Sequence, residues 1–276
     1  MKLNLLQSLA LGFLSGLGEI LPVSGKAHRL LLLKIFGVTG EPAALALMIH
    51  LAIAFALFLN RRSHINRMMR ALRLSRVPKK RRKRPLDTEG LHDFRLLLTA
   101  TVPVVVALCL YGKTSPLAAR PLAVAGLLVI GGVILYIPQY LPGANLVSGS
   151  LTPIDALIFG LGGAAGTLPG ISPLGAALSL GLIRGMDAKN ALNLALVLCI
   201  PVNLGLAAFD LLALFGGSIT FGGLLTAIAA GAAAFAGVLV GTRLLTKITD
   251  LTGYCVFGFY SWGLALLTFA LFLAAV

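Results

Sequence analysis

The amino-acid sequence predicts an all-α polytopic membrane protein, and three observations lead to this fold class. The chain of 276 residues is 58% apolar and only 12% charged. Its mean hydropathy is +0.96, which excludes an ordinary soluble domain and a disordered chain. Apolar runs of about 20 residues, the length that crosses a bilayer as a helix, recur along it. We therefore expect one integral membrane domain over residues 1–276 with about six transmembrane helices.

The six predicted spans are separated by polar, charged or glycine-containing connections. They cover residues 43–59, 96–111, 117–137, 188–208, 222–241 and 253–276. Pro103 inside the second span predicts a kink, because a proline interrupts the helical hydrogen-bond ladder.

Two further apolar stretches are glycine-rich and broken by proline, over residues 11–33 and 154–182. Broken backbone at membrane depth is tolerated only where it is buried in protein or lines a wet cavity. Paired interrupted segments in corresponding halves of a chain indicate an inverted repeat and its binding site. We therefore predict two re-entrant helix hairpins that meet near the membrane midplane. The predicted repeat halves cover about residues 1–137 and 153–276.

The alignment of the two halves depends on few residues. When Pro22 is set on Pro169, Ser24 and Ser172 miss each other by one position. Counting spans offers a separate argument, since it makes the two hairpins enter the membrane from opposite sides, as an inverted repeat requires.

The net charge of +14 is concentrated in one loop. Twelve of the 23 Lys and Arg residues lie within residues 61–84, which end in six consecutive cations. Cytoplasmic loops of membrane proteins collect such charge, so we place the basic loop, residues 61–93, in the cytoplasm. We expect it to attract anionic membrane lipids, and we expect no nucleic-acid partner. Apolar residues at helical spacing over 65–72 favour an interfacial amphipathic helix within it.

Glu19 is the only acid deep in either broken stretch. A buried carboxylate is costly unless it is paired, so we expect Glu19 to meet Lys26, His28, Arg29 or a metal ion. Metal or proton handling and a structural ion pair are the two alternatives for it. His28 is a candidate nucleophile, general acid or proton relay, and the alternative is a histidine satisfied within the core.

Lys26 and Arg29 lie beside Ser24 and Gly25, where the second half of the first broken stretch begins. Backbone N–H groups at a helix start, together with nearby cations, favour a phosphate group. We therefore predict that Lys26, Arg29 and Gly25 bind phosphate. For Arg29 the open alternative is snorkelling to the membrane interface.

The second broken stretch has no charged residue between Asp155 and Arg184. Gly170 allows close backbone approach and Ser172 offers a hydroxyl, so we predict that both contact phosphate. This stretch otherwise predicts a wall of the site. His50, in the middle of a span, is either structural or lines a pathway.

Two sequence motifs coincide with the broken stretches. The first is Ser15-Gly-Leu-Gly-Glu-Ile-Leu-Pro-Val-Ser-Gly-Lys-Ala-His28, and the second is Pro169-Gly-Ile-Ser-Pro-Leu-Gly-Ala-Ala177. They resemble the signatures E-G-x-T-E-F-L-P-(V/I)-S-S-x-G-H and P-G-x-S-R-S-G-x-T of the bacterial undecaprenyl-diphosphate phosphatase family. Members of that family are membrane enzymes that recycle the carrier lipid of cell-wall synthesis. The resemblance covers nearly the whole chain in length, order and loop placement.

The resemblance implies a Glu pair with a divalent cation such as Mg or Ca, a His, hydroxyl groups and an Arg that grips the diphosphate. Four residues of this chain stand at matching positions: Glu19, Ser24, His28 and Ser172. Several motif positions differ. Ser15 replaces the first Glu, Gly25 the second Ser and Pro173 the Arg, and Leu174 and Ala177 replace the next Ser and Thr. The resemblance also implies a multi-pass protein of the bacterial cytoplasmic (inner) membrane and a polyprenyl phosphate or diphosphate lipid as partner. A homodimer is a further expectation.

Two hypotheses of different class follow. Loss of a phosphate-gripping Arg removes charge-assisted stabilisation of a transition state. This favours a protein that binds or translocates the lipid phosphate, with weak or lost hydrolysis. The alternative is an active phosphatase that releases undecaprenyl phosphate and inorganic phosphate, with His28 or an activated water attacking and Glu19 holding the cation. Transport of an unrelated small anion is a third reading.

Overall fold

The structure is a computed structural model that describes residues 3–140, 150–216 and 220–273, without the side chains of residues 249–252. These ranges contain no β-strand. Their eleven α-helices are α1 (Leu5–Ile20), α2 (Gly25–Ile35), α3 (Ala43–Ser75), α4 (Thr88–Cys109), α5 (Tyr111–Thr114), α6 (Pro121–Tyr136), α7 (Pro153–Ala165), α8 (Pro173–Ile183), α9 (Ala188–Leu214), α10 (Phe221–Thr252) and α11 (Val256–Leu273).

Six of the described helices are long and apolar enough to cross a membrane, namely α3, α4, α6, α9, α10 and α11. They correspond to the six predicted spans, so the predicted all-α polytopic fold is confirmed. Large apolar side chains such as Leu98, Val102 and Leu266 stay exposed on the outside of the bundle. Lipid tails are as apolar as these side chains, so a bilayer accommodates a surface that water would not.

Two pairs of shorter helices form hairpins, α1 with α2 and α7 with α8. The four helices have 16, 11, 13 and 11 residues, or about 16–24 Å at 1.5 Å per residue. A hydrocarbon core of about 30 Å is longer than each of them. These lengths suit re-entrant hairpins, and the opposite membrane sides from which the hairpins enter stay a prediction.

The two hairpins carry corresponding capping residues at the same spacing. Asn4 caps α1 and Thr152 caps α7, each through a capping box. Ser24 and Ser172 cap α2 and α8, each accepting a hydrogen bond from the backbone N–H three residues later. In both hairpins the second cap follows the first by 20 residues, from 4 to 24 and from 152 to 172. An offset of 148 residues therefore aligns the two serines, which the alignment on the prolines missed by one.

Each hairpin is held in the bundle by a helix from the other half of the chain. α1 packs along α10, and α7 packs along α4. Glycine permits this proximity, since a Cβ on Gly16 would collide with the backbone of Ala234 and one on Gly160 with that of Ala100. α3 also packs on α9, and α6 on α11. Exchanging the halves leaves this set of helix pairs unchanged, which supports the predicted repeat. The predicted connection between the halves lies partly outside the described residues, over 141–149.

The basic loop is shorter than predicted, because α3 continues through Ser75. Met68 and Ala71 in its last turns are buried, and Met68 belongs to the hydrophobic core. Residues 65–72 therefore extend a spanning helix, and the prediction of a separate interfacial helix is wrong. The 33 residues of α3 give a length of about 50 Å, so the helix projects well past the hydrocarbon core.

The two ends of the basic loop are tied together by Arg67. Its Nε donates to Oδ2 of Asp87 at 2.6 Å, and its Nη2 donates to Oδ1 of Asp87 at 3.0 Å and to Oε2 of Glu89 at 2.9 Å. Hydrogen bonding to the Arg67 guanidinium holds the pKa of Asp87 below its ordinary value. Residues 76–86, between these ends, contain no acid, and most of their cationic side chains are exposed.

Candidate functional site

The tip of the first hairpin is built from closely packed backbone. Ser24 has a φ of 63°, and among the described residues no other non-glycine residue has a positive φ. The left-handed conformation costs such a residue roughly 1–2 kcal/mol, and strain of this kind is concentrated at functional sites. A Cβ on Gly25 would collide with the carbonyl oxygen of Ser15. The hairpin therefore closes in this form because residue 25 is glycine.

A small buried cavity lies where the tips of the two hairpins meet, between α3 and α9. The polar residues that line it are Ser15, Glu19, Ser24, Lys26, Arg29, His50 and Asn203. Five of the eight predicted site residues thus converge here, namely Glu19, Ser24, Gly25, Lys26 and Arg29. His50, which the sequence left open between a structural role and a pathway, lines the same cavity. We call this small cavity between the hairpin tips the tip cavity.

The second hairpin contributes an apolar wall to the tip cavity. Ile171 and Pro173 line it, and Pro173 is the first residue of α8. Gly170, at a φ of 117°, packs against α6, and the hydroxyl of Ser172 caps α8. Neither Gly170 nor Ser172 lines the cavity, so their contacts with phosphate stay predictions.

Glu19 is fixed by a neutral amide. It is 8% exposed, and Asn203 on α9 is 1% exposed. Nδ2 of Asn203 donates to Oε1 of Glu19 at 2.8 Å. No described cation forms an ion pair with Glu19, so Lys26, His28 and Arg29 are not its partners, and the fourth expected partner, a metal ion, stays a prediction. The amide donates a hydrogen bond without adding a charge, and it leaves both cations to other partners.

Lys26 lies between the tip cavity and a much larger one. Its Nζ donates to the hydroxyl of Tyr111 at 2.8 Å and lies 4.7 Å from the centroid of that ring. The larger cavity has a volume of about 820 Å³ and opens where α3 begins and α9 ends, which is the end of the bundle opposite the basic loop. Its walls are largely apolar, and their charged residues are Lys26, Lys34, Glu41 and Asp210. A space with these walls suits an amphiphilic ligand.

Arg29 is 2% exposed, which excludes snorkelling to the membrane interface. It forms an ion pair with Glu41, from the loop before α3, and its Nη2 lies 3.3 Å from Nε2 of His50. Nδ1 of His50 lies 2.6 Å from Oδ2 of Asp210. Asp210 lies within α9, which continues to Leu214, past the end of the predicted span at residue 208. These four side chains form one continuous row, which we call the Arg29 chain.

His28 is turned away from the tip cavity. Its Nδ1 lies 2.9 Å from the carbonyl oxygen of Ser24, and its Nε2 lies 2.8 Å from the hydroxyl of Tyr260. A carbonyl oxygen can only accept, so Nδ1 carries a proton and donates to it. Both ring nitrogens are therefore engaged, and a role of His28 in proton transfer, which stays a prediction, requires Tyr260 to release Nε2.

Comparison with known proteins decides the family. A family model described as bacitracin resistance protein BacA matches residues 8–267. The chain belongs to the BacA family. Together with the six long apolar helices, this makes it a multi-pass protein of the inner membrane. The side on which the basic loop lies stays a prediction.

Relatives of this chain are named undecaprenyl-diphosphatases, as the resemblance of its two motifs predicted. An undecaprenyl-diphosphatase of Nocardioides sp. is 30% identical over 212 residues, which are 75% of this chain and 75% of the relative. One of Methanobrevibacter smithii is 28% identical over 272 residues, 97% of each chain. Undecaprenyl-diphosphatase 1 of Halalkalibacterium halodurans is 31% identical over 205 residues, 73% of this chain and 72% of the relative. The predicted family is confirmed.

The side chains around the tip cavity can be compared with those that usually bind a divalent cation. Among the described residues, no group of three or more His, Cys, Asp and Glu side chains is placed so that it could hold a metal ion. Of the described acids, Glu19 alone lines the tip cavity, beside the hydroxyls of Ser15 and Ser24. Magnesium is commonly held by one or two carboxylates together with substrate phosphates. The residues therefore fit a cation that arrives with a phosphate ligand and do not form a cage for one alone.

Several residues of the site were not found from the sequence. Asn203 had a usable signal, because it is an amide inside an apolar span, two residues after Pro201. Glu41 lies in a loop between Gly40 and Pro42. Acidic residues are common in loops, so this position did not indicate a role in the site. The aromatic partner Tyr111 gave no signal either, because its hydroxyl bonds Lys26 across a separation of 85 residues in sequence.

Proposed function

We propose that this protein binds the phosphate headgroup of a polyprenyl (undecaprenyl) phosphate carrier lipid at the tip cavity. One observation carries the proposal: Ser24, Lys26 and Arg29 line a single buried cavity at a helix start, and the 820 Å³ cavity adjoins it through Lys26. Cations and backbone N–H groups at a helix start favour phosphate. The apolar walls of the larger cavity suit the start of an isoprenoid chain.

The finer proposal is that the protein binds or translocates the lipid phosphate with weak or lost hydrolysis. The second hairpin places only apolar side chains, those of Ile171 and Pro173, in the tip cavity. Gly25 offers no hydroxyl, and both nitrogens of His28 are engaged elsewhere. Stabilisation of a phosphoryl transition state depends on donors placed around the developing charge, and here the polar groups belong to one hairpin and its neighbours α3 and α9.

The alternative proposal is an active undecaprenyl-diphosphate phosphatase, and the names of the relatives favour it. In that case His28 or an activated water attacks, and Ser24 takes part in the reaction. Glu19 would hold a divalent cation, Mg or Ca, which polarises a phosphoryl oxygen when bound. Anionic lipids at the basic loop and a homodimer are further proposals, and we assign no nucleic-acid partner.

Phosphate release from undecaprenyl diphosphate by the purified protein in detergent separates the two proposals. Magnesium and calcium are added in turn, and His28→Ala is measured beside His92→Ala. His92 is the matched control, because it bonds the carbonyl oxygen of Leu151 at 3.1 Å, in another part of the fold. Metal-dependent release that is lost in His28→Ala and kept in His92→Ala establishes the phosphatase. A Pro173→Arg variant shows whether the motif cation raises the rate.

Absence of release has a clear meaning only if the protein still binds the lipid. We therefore measure undecaprenyl phosphate binding against undecaprenol, which has the same chain without phosphate. Preference for the phosphate without hydrolysis supports a binder, and lipid-translocation assays in vesicles then decide whether it moves its ligand. No preference for the phosphate refutes the proposed function.

A further inference from the structure

The Arg29 chain brings together four ionisable side chains from four segments of the fold. Arg29 comes from α2, His50 from α3 and Asp210 from α9, and Glu41 precedes α3. Arg29 and His50 are 2% and 5% exposed. Burying charges is expensive, and buried ion pairs are often no more stabilising than apolar residues of equal size. Their presence here therefore calls for a function in the site.

The direction of each hydrogen bond in the Arg29 chain follows from its chemistry. A guanidinium has donors only, so Nε2 of His50 accepts from Nη2 of Arg29 at 3.3 Å. The proton of the neutral ring is then on Nδ1, which donates to Oδ2 of Asp210 at 2.6 Å. Asp210 thus fixes the tautomer and the ring orientation of His50, and His50 holds one arm of Arg29. On the other side, the carboxylate of Glu41 forms an ion pair with Nε of Arg29.

The remaining arm of Arg29 is available to a ligand. Within the described part of the chain, no group accepts a hydrogen bond from Nη1, although the residue lines the tip cavity. The other cation there, Lys26, donates one of its three N–H groups to Tyr111 and is not held in a fixed fork as Arg29 is. A guanidinium fixed at two of its nitrogens loses little conformational entropy when the third binds.

We propose that Glu41, His50 and Asp210 are positioning residues that hold Arg29 with its Nη1 group directed to a phosphate oxygen of the bound lipid. This rests on the proposed function, because the ligand is the same lipid phosphate. It adds the group that makes the main charge contact and the three residues that act through it. Lys26 then stands where the tip cavity joins the larger one, and Arg29 sets the position of the headgroup.

The test measures the Kd for undecaprenyl monophosphate in detergent, with undecaprenol as the uncharged control lipid. The variants are Arg29→Gln, His50→Leu, their double variant, and His50→Gln, whose amide oxygen can still accept from Arg29. We expect Arg29→Gln to raise Kd about tenfold or more, as the loss of a charge-assisted hydrogen bond does. His50→Leu raises Kd several-fold, His50→Gln restores most of the affinity, and His92→Leu as the matched histidine control leaves it unchanged.

The double variant distinguishes positioning from a general structural effect. A residue that acts through Arg29 changes nothing once Arg29 is gone, so the double variant should bind like Arg29→Gln alone. Equal effects of His50→Leu in both backgrounds, or an unchanged Kd in Arg29→Gln, overturn the inference and leave the proposed function standing. A wild-type protein that does not prefer the phosphate over undecaprenol overturns both. If His50→Leu does not fold, Asp210→Asn replaces it in the same cycle, with the same expected non-additivity.

Discussion

The hydrogen bond between Asn203 and Glu19 allows a quantitative test of the site. Its donor and acceptor are 1% and 8% exposed, and they are 2.8 Å apart. Hydrogen bonds to charged groups contribute about 1.5–3 kcal/mol, whereas interhelical bonds between neutral groups in a membrane protein average about 0.6 kcal/mol. Asn203→Leu removes the donor with little change in volume, so we expect it to lower the free energy of unfolding by about 2 kcal/mol if Glu19 is ionised.

The second arm of that test is Glu19→Gln, which keeps the shape of the acceptor and removes its charge. In this background Asn203→Leu should cost only about 0.6 kcal/mol, the value for a neutral pair. The expected coupling free energy is therefore about 1.4 kcal/mol. Reversible unfolding of the four proteins in lipid–detergent mixtures measures it. Costs of Asn203→Leu that agree within about 0.5 kcal/mol in both backgrounds are additive, and they would refute an ionised Glu19 held by Asn203.

Three other perturbations test separate parts of the fold. Ser24→Gly removes the cost of a positive φ, roughly 1–2 kcal/mol, and Gly is nearly as good an N-cap residue as Ser. The thermal stability of this variant should therefore rise, while its binding of the lipid phosphate weakens. Gly16→Ala places a methyl group against the backbone of α10 and should destabilise by about 1–3 kcal/mol. Gly126→Ala on α6, where a Cβ meets nothing within 4 Å, is its control. The hydrogen bonds from Arg67 lower the pKa of Asp87. The Arg67–Asp87 contact therefore contributes its full stability above the unfolded pKa of about 3.9. This contribution is lost as the pH falls through the lower pKa of the folded state.

The outcomes that contradict these three predictions are as specific. A Ser24→Gly protein that is less stable than the wild type would show that the serine hydroxyl matters more than the strain. Equal effects of Gly16→Ala and Gly126→Ala would remove the argument that α1 and α10 are in backbone contact. Protease cleavage of the basic loop, followed from pH 6 to pH 3, should increase in the wild type, and Asp87→Asn should remove that increase. Cleavage that rises equally in both proteins refutes the role of Asp87.

The features that could be predicted depend on short-range patterns in the sequence. Hydropathy alone located all six spans, and the prolines and glycines near Pro22 and Pro169 located both hairpins. The end of α3 was misplaced for a physical reason. Residues 61–75 are rich in Arg, Leu and Met, which favour helix, but their charge suggested a loop, and tertiary packing of Met68 decided the matter.

The contacts within the site were harder to predict, because they join distant parts of the chain. Glu19 and Asn203 are 184 residues apart in sequence. Lys and Arg are the partners usually expected for a buried carboxylate, so the sequence did not indicate a neutral amide. The orientation of His28 depends on the left-handed φ of Ser24, which sets the direction in which α2 begins. Such a conformation is rare for serine, and neither periodicity nor residue spacing predicts it.

The two hairpins share one backbone plan and differ in chemistry. Both have caps 20 residues apart, yet Glu19, Lys26 and Arg29 belong to the first, and the second supplies Ile171 and Pro173 to the tip cavity. Caps fix the backbone through hydrogen bonds that do not depend on the neighbouring side chains, so the second tip can lose polar groups without losing its fold. Under the proposed function, a phosphate in this cavity would contact groups of the first hairpin and of its neighbours α3 and α9, and it would face an apolar wall from the second hairpin. This one-sided placement of polar groups is the physical reason for proposing binding and release of the lipid phosphate, because stabilisation of a transition state needs donors placed around the developing charge.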